Sequence, residues 1–125
     1  MYAYNRKMHK RILIADDDLA ILESLKLLLE MFNYEVETTA DGRVVEKIRE
    51  VRPQLLLLDI WMSGVDGRDI CREIKRDKEM SKIPVIMVSA SRDVSRSSKE
   101  SGAEEFLPKP FEMDELLQKV GKYLD

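Results

Sequence analysis

Several residues that could do chemistry in this chain stand where an apolar run ends. Asp16, Asp17 and Asp18 follow Ile12-Leu13-Ile14-Ala15; Asp59 follows Leu55-Leu56-Leu57-Leu58; Ser89 follows Val85-Ile86-Met87-Val88; Lys109 stands in Pro108-Lys109-Pro110, after the brief run Glu105-Phe106-Leu107. Three carboxylates brought together without a partner would be expensive, and some would stay protonated. A hard divalent cation with oxygen ligands resolves this, and Mg²⁺ needs only one or two direct carboxylates plus waters. A hydroxyl and an ammonium opposite such a cation suit a phosphoryl group. The chemistry implied is phosphoryl transfer to or from a carboxylate.

For these groups to meet, the runs must be neighbouring parallel strands with their carboxyl ends at one rim. Continuous apolar runs of four read as strands buried on both faces. Leu55–Leu58 is the central one, and the turn residues of Ile60 to Gly67 break its pattern. A helix is expected from about Leu19 to Met31 or Phe32, capped by Asp18. Its inner face would be Leu22, Leu25, Leu29 and Phe32, supported by Ile21 and Leu28. Glu35 to Thr39 reads as a second strand. Val44, Val45, Ile48 and Val51 make a helix ended by Pro53, and Gly67 to Asp77 another, burying Ile70, Ile74 and Cys71. Arg92 to Ser101 has Val94 as its one large apolar residue among several serines, which predicts a short or mobile helix closed by Gly102. The last helix is expected from near Glu112, with Met113, Leu117, Val120 and Leu124 inward. Five strand–helix repeats with short connections mean an α/β fold whose parallel sheet is covered on both faces. A flavodoxin-like order, 2-1-3-4-5, puts the first and third strands side by side at the switch point where such sheets bind ligands.

Composition sets bounds. At 125 residues, 44% hydrophobic and 36% charged, the chain has room for one domain with a real core. A net charge of −3 argues against nucleic acid as direct partner. One cysteine excludes a disulfide framework and fits a reducing compartment. No membrane span or signal peptide is visible, so a cytoplasmic location is expected. Residues 1–9 read as a polar lead-in, with His9 given no role, and 10–125 as the domain.

The stretches Ile-Leu-Ile-Ala-Asp-Asp-Asp, Leu-Leu-Leu-Leu-Asp-Ile-Trp-Met-Ser-Gly-Val-Asp-Gly, Pro-Val-Ile-Met-Val-Ser-Ala and Phe-Leu-Pro-Lys-Pro-Phe, in this order and spacing, resemble the four motifs of a response-regulator receiver domain of two-component signalling. The resemblance covers about Lys10 to Asp125. It implies that Asp59 is the phosphoacceptor, attacking a phosphohistidine on a histidine kinase or phosphotransfer protein. It implies Mg²⁺ held directly by Asp17 and Asp59, with Asp16 acting through water and the Trp61 backbone carbonyl completing the site. Ser89 would bond the phosphoryl oxygen, Lys109 would pair with Asp59 before modification and the phosphoryl group after it, and Phe106 would be the switch aromatic. The Lys109-Pro110 bond is expected to be cis. The output would be a downstream protein or an effector domain, and a phosphorylation-dependent homodimer is compatible with the family.

Two departures and three alternative functions stand beside this. Met62-Ser63 stands where the family usually has Met-Pro, an expected loss of loop rigidity but not of chemistry. Trp61 is larger than usual there and is expected to be half exposed. Other functions with the same groups are a Mg²⁺-dependent aspartyl phosphatase of haloacid-dehalogenase type, a flavodoxin-like cofactor module, and a phosphate-independent docking module. The first looks for an acid where Trp61 stands. The second needs a phosphate cradle where Asp16-Asp17-Asp18 would repel one. The third is disfavoured because all five site residues are present.

Overall fold

A computed structural model describes residues 10–91 and 94–125. His9 and the lead-in, and Arg92 and Asp93, lie outside the described residues. In chain order the elements are β1 (Arg11–Ala15), α1 (Leu19–Met31), β2 (Glu35–Thr39), α2 (Val44–Val51), β3 (Leu55–Asp59), β4 (Trp61–Met62), β5 (Val65–Asp66), α3 (Gly67–Arg76), β6 (Val85–Ser89), α4 (Ser95–Glu100), β7 (Glu105–Pro108) and α5 (Met113–Leu124).

The five long strands form one sheet in the order β2-β1-β3-β6-β7, and every pairing is parallel. This is the expected 2-1-3-4-5 flavodoxin-like topology once the short pair β4 and β5 is counted separately. β3 and β6 are buried at all five positions, as unbroken apolar runs require. Side chains alternate between the two faces with period 2. Ile12, Ile14, Leu55, Leu57 and Ile86 pack under α1 and α5, with Leu22, Leu25, Leu29, Leu116 and Val120. Leu13, Ala15, Leu56, Leu58 and Met87 pack under α2 and α3, with Val44, Ile48, Ile70, Cys71 and Ile74. Each fully buried aliphatic side chain contributes about 1.5–3 kcal/mol, so the two layers hold the strand ends rigidly in register.

Asp18 caps α1 as expected, its Oδ1 accepting the N–H groups of Ala20 at 3.0 Å and Ile21 at 3.3 Å. Phe32 does not join the inner face. It follows the helix as its C-cap and is exposed, and Tyr34 closes that end of the core instead. The Tyr34 hydroxyl donates to Asp125 Oδ2 at 2.9 Å, and burial followed by that carboxylate raises its pKa to about 12. On α5 the fully buried pair is Leu116 and Val120. Met113, expected inside, is exposed because it is the first residue of the helix. Leu117 and Leu124 are partly buried at the flank.

The segment read as a loop after Asp59 contains a ribbon. β4 and β5 pair antiparallel, Trp61 with Asp66 and Met62 with Val65, around a turn with Gly64 at φ +77°. The Gly67 N–H donates to Ile60 O at 2.6 Å and closes the ribbon onto α3. A Cβ on Gly67 would lie 2.5 Å from the Asp59 carbonyl oxygen and 3.0 Å from Ile60 Cα, backbone atoms that cannot swing away. Gly67→Ala is therefore expected to destabilise the protein by about 1–3 kcal/mol, read as a lowered thermal midpoint. The serine-rich stretch forms the short helix α4, where Ser98 and the C-cap residue Ser101 are buried small residues. Their hydroxyls donate to the carbonyls of Val94 at 2.9 Å and Ser98 at 2.6 Å.

Candidate phosphoryl and metal site

Because the sheet is parallel, β1, β3, β6 and β7 all end at the same rim. Asp16 follows β1, Asp59 and Ser89 are the last residues of β3 and β6, and Lys109 follows β7. Asp16, Asp17 and Asp59 each place one carboxylate oxygen within 4.8 Å of the others. Asp16 and Asp59 are buried and Asp17 is exposed.

Each carboxylate is held by something local. Asp16 Oδ1 accepts the Asp18 N–H at 2.9 Å. Asp17 Oδ2 accepts the Ser63 N–H at 3.1 Å, across 46 residues of sequence. Lys109 Nζ donates to Asp16 Oδ2 at 2.8 Å and stands 3.8 Å from Asp59 Oδ1. The lysine thus bridges two carboxylates and is nearer Asp16, whereas the sequence suggested Asp59 as its partner. One ammonium against three carboxylates leaves the cluster short of positive charge. The Asp59 carboxyl shows the consequence: burial first, and then the neighbouring Asp16 charge, push its pKa up to about 6, against the pull of Lys109. An all-oxygen donor set with excess negative charge fits a hard divalent cation.

Ser89 is fully buried, and its Oγ accepts the Ser91 N–H at 3.2 Å. Its backbone carbonyl accepts the Lys109 N–H at 2.8 Å, which ties the ends of β6 and β7 together. The Lys109-Pro110 peptide is cis. Phe106 pairs with Met87 in register and is half buried against the cluster under α2 and α3. Trp61 is 52% exposed, and the Arg68 guanidinium carbon lies 4.8 Å from its ring centroid. The structure therefore brings Asp16, Asp17, Asp59 and Lys109 into direct proximity, sets Ser89 on the same rim, and places Trp61 and Phe106 on the flanking ribbon and edge strand.

Two contributors escaped the sequence reading. Ser63 does more than relax the loop, since the N–H it gives Asp17 is one a proline would lack. Arg68 sits between the ribbon and α4, where its side chain meets Trp61, Asp66 and Ser97. The turn pair Asp66-Gly67 marked the site of the ribbon, but no local pattern marked its partners.

Comparison with known proteins agrees with this geometry. The response regulator receiver domain family model matches residues 12–121. The response regulator MprA of Mycobacterium ulcerans is 37% identical over 116 residues, 90% of this chain and 49% of that protein. The DNA-binding dual master transcriptional regulator RpaA of Synechocystis is 36% identical over 113 residues, 88% of this chain and 47% of that protein. This chain spans about half the length of these relatives. The crystal structure of the response regulator TrrA of Thermotoga maritima, in complex with Mg²⁺ and beryllofluoride, superposes with a TM-score of 0.84 at 34% identity, covering 92% of this chain and 99% of that one. By fold, by the acidic rim and by sequence, the chain belongs to the response-regulator receiver domain family of two-component systems.

Proposed function

We propose that Asp59 accepts a phosphoryl group from the phosphohistidine of a partner histidine kinase or phosphotransfer protein, and that residues 10–125 form a receiver domain after a lead-in of residues 1–9. The observation that carries this is the convergence of Asp16, Asp17 and Asp59, with Lys109 at 2.8 Å from Asp16 and 3.8 Å from Asp59, on the rim that also bears Ser89. An Asp59 carboxylate oxygen attacks phosphorus, the P–O bond forms, and the P–N bond breaks with its electron pair leaving on the imidazole. Asp17, Asp59 and the Trp61 carbonyl would hold Mg²⁺ directly and Asp16 through water. Bound there, the ion would neutralise charge on the transferring oxygens. Lys109 is placed to follow the charge from the carboxylates to the phosphoryl group. The Ser89 hydroxyl turns from Ser91 to bond a phosphoryl oxygen, and Phe106 moves inward against the space this frees.

An apolar groove of about 450 Å³, lined by Ile21, Leu25, Ala90, Pro110 and Phe111, opens beside Lys109 and gives the phosphodonor a surface to cover as its histidine reaches the rim. The chain's net charge of −3 supports a protein partner over nucleic acid. The described residues contain no helix long and apolar enough to cross a membrane, and the free buried Cys71 suits the cytoplasm.

The test is a titration with Mg²⁺ and then beryllofluoride, followed by the emission of Trp61, the one tryptophan in the chain. Both ligands should give saturable changes, and Asp59→Asn should lose the beryllofluoride response. A Mg²⁺ response alone would favour a docking module. Two residues after Asp59 and half exposed, the Trp61 side chain would shield a phosphoryl group on Asp59 from water if its ring turned over the rim. Trp61→Asn is expected to shorten the lifetime of phospho-Asp59 several-fold, measured as decay of the phosphorylated protein. An unchanged lifetime would remove the ring from the account.

A further inference from the structure

Asp17 is the least confined of the three carboxylates at the rim. Asp16 and Asp59 are buried, and Lys109 stands 2.8 and 3.8 Å from them. Asp17 is exposed, and its Oδ2 accepts the Ser63 N–H at 3.1 Å. Among the described residues its Oδ1 accepts no hydrogen bond. The Ser63 hydroxyl stands 3.5 Å from the same Oδ2, at the limit of a hydrogen bond, so the backbone N–H is the donor that matters. An exposed aspartate otherwise samples several rotamers, and an ion that binds it has to fix one of them.

Ser63 is itself held in place. It stands between β4 and β5, in the turn closed by the pair Met62 and Val65. Met62 is buried, and the Gly67 N–H bonds Ile60 O at the base of the ribbon. Trp61, whose carbonyl is the proposed third direct ligand, lies two residues before Ser63 on β4. The Ser63–Asp17 bond therefore joins the two segments that each bring an oxygen to the cation, one after β1 and one after β3. The Asp17 Oδ1 is left for the ion, since a carboxylate has lone pairs enough for both.

We infer that Ser63 is a positioning residue for the cation: its N–H fixes the Asp17 carboxylate relative to the Trp61 carbonyl, and so favours Mg²⁺ over larger divalent ions. This rests on the Mg²⁺ site proposed above and adds a source of its selectivity. Mg²⁺ demands near-ideal octahedral ligands at about 2.0–2.1 Å, whereas Ca²⁺ accepts a flexible shell at about 2.3–2.6 Å. Loosening one ligand thus costs the smaller ion more. Ser63→Pro deletes the donor and is compatible with the turn. Gly64 has φ +77°, Ser63 is not among the residues of positive φ, and Met62 is in a strand. A turn of this kind accepts proline at its first inner position, after an extended residue. Ser63→Pro is expected to weaken Mg²⁺ binding by about threefold to tenfold, at or below the low end of what losing a ligand's supporting partner costs, because Asp17 is exposed. Ca²⁺ binding should weaken by less than about twofold.

The experiment is calorimetric titration of the full chain with Mg²⁺ and with Ca²⁺, for wild type, Ser63→Ala and Ser63→Pro. Ser63→Ala keeps the N–H and should rescue the wild-type Kd for both ions. Ser63→Pro should lose Mg²⁺ affinity selectively, a split that a general loosening of the site would not produce. A second measurement needs no proline: amide hydrogen exchange at Ser63 in the metal-free protein should be several-fold faster in Asp17→Ala than in wild type. If Ser63→Pro binds Mg²⁺ as tightly as wild type or more tightly, or loses both ions alike, Ser63 does not position the cation and the receiver reading stands. Unchanged exchange in Asp17→Ala overturns the inference equally, whether or not the proline variant folds. If wild type itself binds neither Mg²⁺ nor beryllofluoride, the receiver reading fails and the inference falls with it.

Discussion

Without metal, Asp59→Asn is expected to be more stable than wild type at pH 7.5 by on the order of 2–3 kcal/mol, and to have lost phosphoryl uptake altogether. The stability gain follows from the direction of the Asp59 shift. Its pKa in the folded protein, about 6, stands above the ordinary 3.8, because burial and the Asp16 charge disfavour the ionised form. The contribution of this group is thus fully present below about pH 4 and is lost as pH rises through 6. Denaturation in EDTA should show stability falling between pH 4.5 and 7 in wild type, with this component absent in Asp59→Asn. Adding Mg²⁺ should stabilise wild type more than the variant, because ligands that bind only the native state raise its stability. Glu105 supplies the opposite slope in a separate window. Its bond from Lys122, then those from Tyr123 and Lys119, hold its carboxyl at about 2 against a burial effect that raises it. That contribution is present above about pH 4.5 and is lost only as pH falls toward 2, so the two groups are resolved in one experiment. A site that must recruit a cation is one whose stability is poorest at neutral pH without it.

Lys109→Met should give the second large effect, with opposite signs in two assays. Lys109 Nζ is 2.8 Å from Asp16 and 3.8 Å from Asp59, and both carboxylates are buried. A unit charge at about 4 Å and an effective dielectric near 20 is worth roughly 4 kcal/mol. Its removal leaves three carboxylates with no compensating ammonium at the rim. Mg²⁺ affinity should therefore rise, by about tenfold, since a competing cation is gone. Phosphoryl uptake from acetyl phosphate at pH 7 should fall by about tenfold or more, because the Asp59 pKa rises further and because the developing phosphoryl charge has lost its counter-ion. The pH dependence of uptake should move to higher pH. Equal losses in both assays would point to a collapsed site and contradict the electrostatic role given to the lysine.

How much of this was legible beforehand depended on whether the signal was local. Leu55–Asp59 and Val85–Ser89 declare buried strands and their polar ends within five residues, and the strand-end chemistry follows once the sheet is parallel. Asp18 as a cap and Gly102 as a helix stop are equally local. The inner faces of helices were less certain at their ends: Phe32 and Met113 fit a helical spacing, yet each lies at a terminus where the core has already run out. The β4–β5 ribbon has two-residue strands, too short for any periodicity. What the sequence could not display were contacts between residues far apart along it. The Ser63 N–H on Asp17 spans 46 positions, Arg68 on Ser97 spans 29, and Lys109 on Asp16 spans 93. These contacts decide how charge is shared at the rim and what restrains α4.

The most direct test of the central claim is intact-protein mass spectrometry after incubation with acetyl phosphate and Mg²⁺, with the modified residue located by borohydride reduction of the acyl phosphate. The account requires the gain of one phosphoryl group, dependent on Mg²⁺, located at Asp59 and absent in Asp59→Asn. A stoichiometric phosphoryl group on any other residue, or none on a folded, Mg²⁺-binding protein, would contradict it.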